Sequence, residues 1–302
     1  DRAPSDRAPS DRAPSDRAPS DRAPSDRAPS DRAQLRLGAG TFDTRTGTLT
    51  RFGELKLDGP VVDVWRAPTD NDIGMGDSGP AKRWRAAGLD RLRHRTIDVT
   101  AKDDAIEVHT RAGGTSTGTG LFVTYRWTPA GQGLTLAVHV TPDGPWDFPL
   151  PRLGVRLALP ATFQDVRWFG RGPGEAYPDS CQAARVGLFR STVAGLQTPY
   201  VRPQENGNRM DVRWAELGNV LRITGAPTFN LTVRPWTSED LDRATHTSDL
   251  IAKDRVFVNL DCGQNGLGSA SCGPGVLPQY QLQPRERSFQ VTFSTPHGAT
   301  GG

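Results

Sequence analysis

Apolar side chains recur at every second position along most of this chain. Leu121, Val123, Tyr125 and Trp127 alternate with more polar neighbours such as Thr124 and Arg126. Leu134, Leu136, Val138 and Val140 repeat the pattern after a turn at residues 129–133. Met210, Val212 and Trp214 follow suit, then Phe229, Leu231 and Val233, then Val256, Val258 and Leu260, and last Phe289, Val291 and Phe293. Successive side chains of a strand point to opposite faces, so period two predicts half-buried antiparallel strands. Helical spacing is scarce. One helix is expected from about Ala81 to Ala87, with Gly88 placed to end it. Many strands and almost no helix predict an all-β fold, a large antiparallel sandwich forming one domain over residues 34–298.

The start of the chain departs from that pattern. Residues 1–30 repeat Asp-Arg-Ala-Pro-Ser, and the repeat breaks at Gln34 after Asp31, Arg32 and Ala33. Ala is its sole apolar side chain, so residues 1–33 are expected to be disordered, too polar to offset their ordering entropy. Residues 299–302 read as a flexible tail. Across the 302 residues, 37 Lys and Arg face 34 Asp and Glu without a dense basic stripe, which argues against nucleic acid as a partner. No apolar run is long enough to span a membrane, and no charged-then-apolar leader is visible. Three cysteines, Cys181, Cys262 and Cys272, form no short-range disulfide framework; reduced thiols and a cytoplasmic setting are expected.

Candidate chemistry gathers in four loop-like stretches: 65–74, 168–179, 198–207 and 266–275. Each combines turn-forming Gly and Pro with polar side chains, and the first three add aromatic rings beside carboxylates, amides or Arg. A ring can cover the apolar face of a pyranose while polar groups pair with its hydroxyls. The same residue types also make ordinary turns. Asp70, Asp72, Glu175 and Glu205 are available carboxylates, each open to a structural reading as a loop side chain bonding nearby backbone N–H groups. Asp70 and Asp72 supply only two ligands, short of the six or more oxygens a calcium site uses.

Trp65 to Gly74, Trp168 to Asp179, Tyr200 to Gly207 and Asn265 to Val276 carry a resemblance. In their order and spacing they are similar to the C-terminal domain of the β-galactosidases of glycoside hydrolase family 2. In some bacteria that region is a separate small chain. The resemblance covers residues 34–295 and implies a galactose mutarotase-like antiparallel super-sandwich. It also implies that the catalytic carboxylates, and the magnesium and sodium, belong to a (β/α)8 barrel on a partner or parent chain. This chain is then expected to hold no cofactor and no catalytic residue. A barrel needs about 250 residues of alternating strand and helix, which are not here.

The resemblance further implies a loop at the rim of a β-galactoside site, carried by Ser269, Ser271 and Cys272. Asp70, Asn71, Glu205 and Asn206 are weaker carbohydrate-binding candidates. Family members place a Trp near the substrate where this chain has Cys272, and a thiol offers no comparable flat face. Assembly into an oligomer is also implied. Two other readings stay open, a stand-alone carbohydrate-binding module and an aldose 1-epimerase. An epimerase needs an acid and a base at the anomeric centre. Of His94, His109, His139, His246 and His297, only His246 lies in a plausible loop, while His109 and His139 fall on the polar faces of strands.

Overall fold

The computed structural model describes residues 34–74, 76, 79–115 and 118–296. The repeat of residues 1–33, the tail at 299–302 and His297 lie outside the described residues. A small antiparallel sheet comes first, from β1 (Gln34–Leu37) through β2 (Gly40–Asp43) and β3 (Leu49–Phe52) to β4 (Leu55–Lys56). All other strands belong to one large antiparallel sheet that forks at a single long strand, β14 (Leu221–Arg234).

The fork follows from the sequence of β14. Its first half, Arg222 to Gly225, pairs with β16 (Arg287–Ser294). Its second half, Asn230 to Arg234, pairs with β15 (Arg255–Gln264). Ala226 and Pro227 lie between the halves, and a proline has no N–H to give a ladder. The strand leaves one layer there and enters the other. From β16 the first arm runs through β9 (Gly133–Asp143), β8 (Gly120–Ala130) and β7 (Ala105–Gly113) to β6 (Arg93–Lys102). The second arm runs from β15 through β10 (Arg152–Pro160) to β5 (Asp58–Asp63). On its other edge β14 pairs with β13 (Arg209–Leu217), followed by β11 (Asp165–Gly172) and β12 (Arg185–Thr192).

The arms pack face to face: the Val62 N–H on β5 donates to the Tyr125 hydroxyl on β8 over 2.8 Å. Trp127 fills the space below, edge-on to Phe42 at 5.3 Å and tilted against Phe293 at 5.6 Å. These rings, with Leu134, Leu136 and Val138, are buried, so the inward faces of β8 and β9 follow the alternation in the sequence. This is the expected all-β super-sandwich.

Strand β13 corrects the simple pattern. Period two puts Met210, Val212 and Trp214 on one face, yet Val212, Ala215 and Leu217 are the buried ones. Asp211 takes a left-handed backbone, φ 53°, and the register with β14 shifts on both sides of Val212. Between Val212 and Trp214 the pairing on β14 jumps from Phe229 to Thr224, which breaks the simple alternation. Trp214 is half-buried, with the Arg222 guanidinium stacked over its ring at 4.1 Å.

The expected helix appears as α2 (Pro80–Ala86), ended by Gly88 at φ 72°. Trp84 anchors it, fully buried, with its indole N–H on the Pro149 carbonyl at 2.7 Å. Two shorter helices, α1 (Asp70–Ile73) and α3 (Ser238–Arg243), escape the apolar period but carry reciprocal caps, Thr69 with Asp72 and Thr237 with Asp240. Among the described residues, no helix is long and apolar enough to cross a membrane.

Candidate functional site

The four stretches singled out in the sequence meet at one end of the sandwich. The first (65–74) follows β5, the second (168–179) continues β11, the third (198–207) precedes β13, and the fourth (266–275) follows β15. They are bonded to one another in a closed circuit.

Arg66 ties the first stretch to the fourth. Its guanidinium is fully buried, donates to the Asn265 and Gly266 carbonyls at 2.6 and 3.0 Å, and meets Asp72 at 2.8 Å. Asp72 is also the capping carboxylate of α1, so one buried ion pair fixes both the helix start and the base of the fourth loop. Asn71 then holds the loop itself. Its amide N–H donates to the Gly268 carbonyl at 2.8 Å, and its oxygen accepts from the Ser271 N–H at 3.1 Å and the Ser271 hydroxyl at 2.7 Å. At Gly74 the two stretches come so close that a Cβ would sit 2.7 Å from the Ala270 carbonyl oxygen.

From the second stretch, Asp179 accepts the N–H groups of Leu267 and Gly268 at 2.9 and 2.8 Å. Glu175 reaches the third stretch instead, accepting from the Gly207 N–H at 2.6 Å and the Tyr200 hydroxyl at 3.0 Å. Burial and then Glu175 push the Tyr200 hydroxyl up to about 12. Gln204 and Asp70 close the circuit with two hydrogen bonds of 3.0 and 3.2 Å.

Glu205 and Asn206, the weaker sugar candidates, are buried and hydrogen-bonded within the loops. Glu205 accepts from the Arg234 guanidinium at 2.7 Å and the Tyr177 hydroxyl at 3.2 Å. Burial raises its proton affinity, but Arg234, Arg152 and Arg66 outweigh it and hold the carboxyl below the usual range. The Asn206 oxygen accepts the Thr198 N–H and its amide donates to the Gln204 carbonyl. Asp70 is exposed. Ser269 is half-buried, its hydroxyl on the Pro274 carbonyl, while Ser271 and Cys272 are exposed at the tip of the fourth loop.

Beneath the loops lies a polar layer that sequence reasoning missed. Arg152 on β10 grips Asp261 on β15 at 2.6 Å, and both side chains are fully buried. Burial pushes the Asp261 carboxyl up to about 6 against the pull of Arg152. Its one signal in the sequence was charged and amide residues set inside apolar strands, Arg152, Asp261 and Gln264 among them. Among the described residues, no three His, Cys, Asp or Glu side chains gather as a metal site would need. His246 is largely exposed and faces Asp249 at 3.8 Å on a surface turn.

The fold and its loop end define a class: a large antiparallel super-sandwich that carries its candidate chemistry on one braced rim. The chain belongs to the β-galactosidase small-chain family, which matches residues 39–294. It is 37% identical to a β-galactosidase of Arthrobacter sp. (strain B7), over 85% of this chain and 28% of that protein. It is 35% identical to a β-galactosidase of Vibrio cholerae, over 83% of this chain and 26% of that one. The chain thus spans about a quarter of the length of the curated relatives it matches. Among solved structures, a galactose mutarotase-like protein from Lactobacillus casei aligns at TM-score 0.37 and 12% identity, over 86% of this chain and 79% of that one.

Proposed function

We propose that this chain completes the active-site rim of a β-galactosidase whose catalytic (β/α)8 region lies on a partner or in a longer parent polypeptide. The reading is carried by one observation: the four stretches that resemble the family close into a single bonded circuit at one end of the sandwich. That circuit presents the fourth loop, with Ser269, Ser271 and Cys272, as a held surface rather than a floppy one. Asp70 is a weaker candidate contact on the same rim. The substrates would be terminal β-D-galactosides of the lactose type. Any magnesium or sodium would belong to the catalytic region, and assembly into an oligomer fits the same reading. Three unpaired thiols are in keeping with a cytoplasmic setting.

Hydrolysis with retention needs two carboxyl groups about 5 Å apart across the scissile bond. The carboxylates here are otherwise engaged. Asp72 is paired with Arg66 and Glu205 with Arg234, while Asp179 and Glu175 hold loop backbone. Each of those roles would be lost by a group that had to shuttle a proton.

A chromogenic β-galactoside assay tests the reading. The chain alone should be silent, and activity should appear on mixing with the large chain of a two-chain β-galactosidase. Turnover by the chain alone would overturn it.

A further inference from the structure

Two clefts flank the fourth loop, and they differ in chemistry. The first, about 400 Å³, is lined by prolines such as Pro80, Pro149 and Pro278 together with the charged Arg83 and Asp72, and by no aromatic ring among the described residues. The second, about 410 Å³, is lined by Tyr280, Ser180, Asp179, Ser269 and Asn71 around a floor that includes Leu267. Both volumes fall in the range of small-molecule sites, roughly 300–1,000 Å³. Only the second offers an aromatic ring among its described lining residues. Cys272, at the tip of the loop, lines neither.

Tyr280 is held from behind. Its N–H donates to the Leu277 carbonyl and its carbonyl accepts the Gly266 N–H, both at 2.9 Å, so its backbone is pinned to the base of the fourth loop. The half-buried side chain contributes a ring and a hydroxyl that makes no hydrogen bond to another described residue; the same is true of the Ser180 hydroxyl. Each Asp179 oxygen accepts one backbone N–H, which leaves further lone pairs on the carboxylate. Ser269 donates to Pro274 and can still accept. An aromatic ring on a backbone held in place, beside two hydroxyls without a partner among the described residues and a carboxylate with spare acceptor capacity, suits a polyhydroxylated ring with one apolar face.

We infer that this second cleft binds a hexopyranose, with Tyr280 as the stacking platform and Asp179, Ser180 and Ser269 pairing with its hydroxyls. The inference rests on the chain serving a β-galactosidase, and it names a contact separate from the loop tip, where Cys272 has no ring to offer. The aromatic surface is thereby supplied from the turn behind the loop.

The test is saturation-transfer NMR on the 302-residue chain. The probes are methyl β-D-galactopyranoside and methyl β-D-glucopyranoside, with mannitol as an acyclic control. Both pyranosides should bind and mannitol should not. Tyr280→Ala should weaken binding about tenfold. Tyr280→Phe should retain it, which separates loss of the ring from loss of the fold, and Ile97→Ala, exposed on β6 and outside the cleft, should change nothing. Unaltered binding by Tyr280→Ala, or no pyranoside binding at all, would overturn the proposal. The assay for hydrolysis on mixing is independent. A chain that complements but binds no pyranoside through Tyr280 loses only this inference, and one that binds but never complements loses the proposed function.

Discussion

Two regions of the molecule are equally rich in charged and polar side chains, and they use them in opposite ways. At the loop end, Arg66 with Asp72, Arg234 with Glu205 and Arg152 with Asp261 are buried pairs, the first within one loop stretch and the other two joining separate elements. On the outer face of β7, β8 and β9, Glu107, His109, Thr124, Arg126 and His139 stand side by side across the ladder, Arg126 exposed and the others half-buried but open to water. Glu107 and His109 approach to 2.8 Å, as close as the buried Arg66–Asp72 pair, yet each side chain stays 42% exposed. Distance alone therefore says little about what a pair contributes. Burial decides it, because removing one partner in the interior strands the other without water.

The largest effect should come from Arg66→Ala. It leaves Asp72 buried without its cation and frees the Asn265 and Gly266 carbonyls. A loss of about 3–5 kcal/mol is expected, read as a lower denaturant midpoint. A change below about 1 kcal/mol would erase the contrast between the two regions.

Asp261 sharpens the contrast through pH. Its carboxyl, ordinarily near 3.8, is raised to about 6 in the folded chain. Between those values the folded state binds the proton more tightly than the unfolded one. Its contribution is therefore fully present at low pH and is lost as pH rises through about 6. Asp63 and Glu205 are held below their ordinary values and act in the opposite sense, their stabilisation fading as pH falls. The difference in stability between wild type and Asp261→Asn isolates the one group. It should shift against the wild type by about 3 kcal/mol from low pH to above 6. A flat difference would mean that Arg152 fully offsets the cost of burying the Asp261 carboxylate.

How far this could be read from the sequence depends on the kind of interaction. The alternation in β8 and β9 was legible because period two reports a single face against a single core. In β13 it failed between Val212 and Trp214, where the register with β14 jumps from Phe229 to Thr224 and no local composition announces it. The four loop stretches were legible as chemistry, and their residue types fixed neither direction nor partner. Glu205 and Asn206 can be read from the letters as sugar ligands or as loop braces, and their burial and loop hydrogen bonds show only in three dimensions. Tyr280, set in a Pro-Gln-Tyr turn outside all four stretches, gave no pattern at all. Long-range pairs such as Arg66 with Asn265 join residues far apart in the chain, which periodicity cannot see.

Asn71→Ala probes a middle case, a half-buried amide with three hydrogen bonds to one loop. Global stability should fall by only about 1–2 kcal/mol. The local effect should be greater, because those bonds set the position of the fourth loop. Cys272 gives the readout: its modification by a thiol reagent, or cleavage of residues 266–275 by protease, should quicken relative to wild type. Burial pushes the Cys262 thiol up to about 12, so it should not compete for the reagent. Unchanged reactivity would show that Asp179 and Arg66 hold the loop without Asn71.

The smallest effect is expected at Glu107→Gln, and its smallness carries the argument. The substitution removes the charge facing His109 and Arg126 while keeping size and hydrogen-bonding capacity. Both groups of the His109 pair lie in water, so the attraction lost is offset by solvation regained, and the cost should stay within about 0.5 kcal/mol. Raising the ionic strength should shrink even that, since exposed charges are screened over about 10 Å at 0.1 M salt. Glu205→Gln is the matched change at the loop end: the same chemistry, a buried site and the Arg234 guanidinium left uncompensated. It should cost several times more and respond little to salt. Equal costs at the two positions would mean that the outer face is covered in solution, and the polar array would then be an interface rather than a solvated surface.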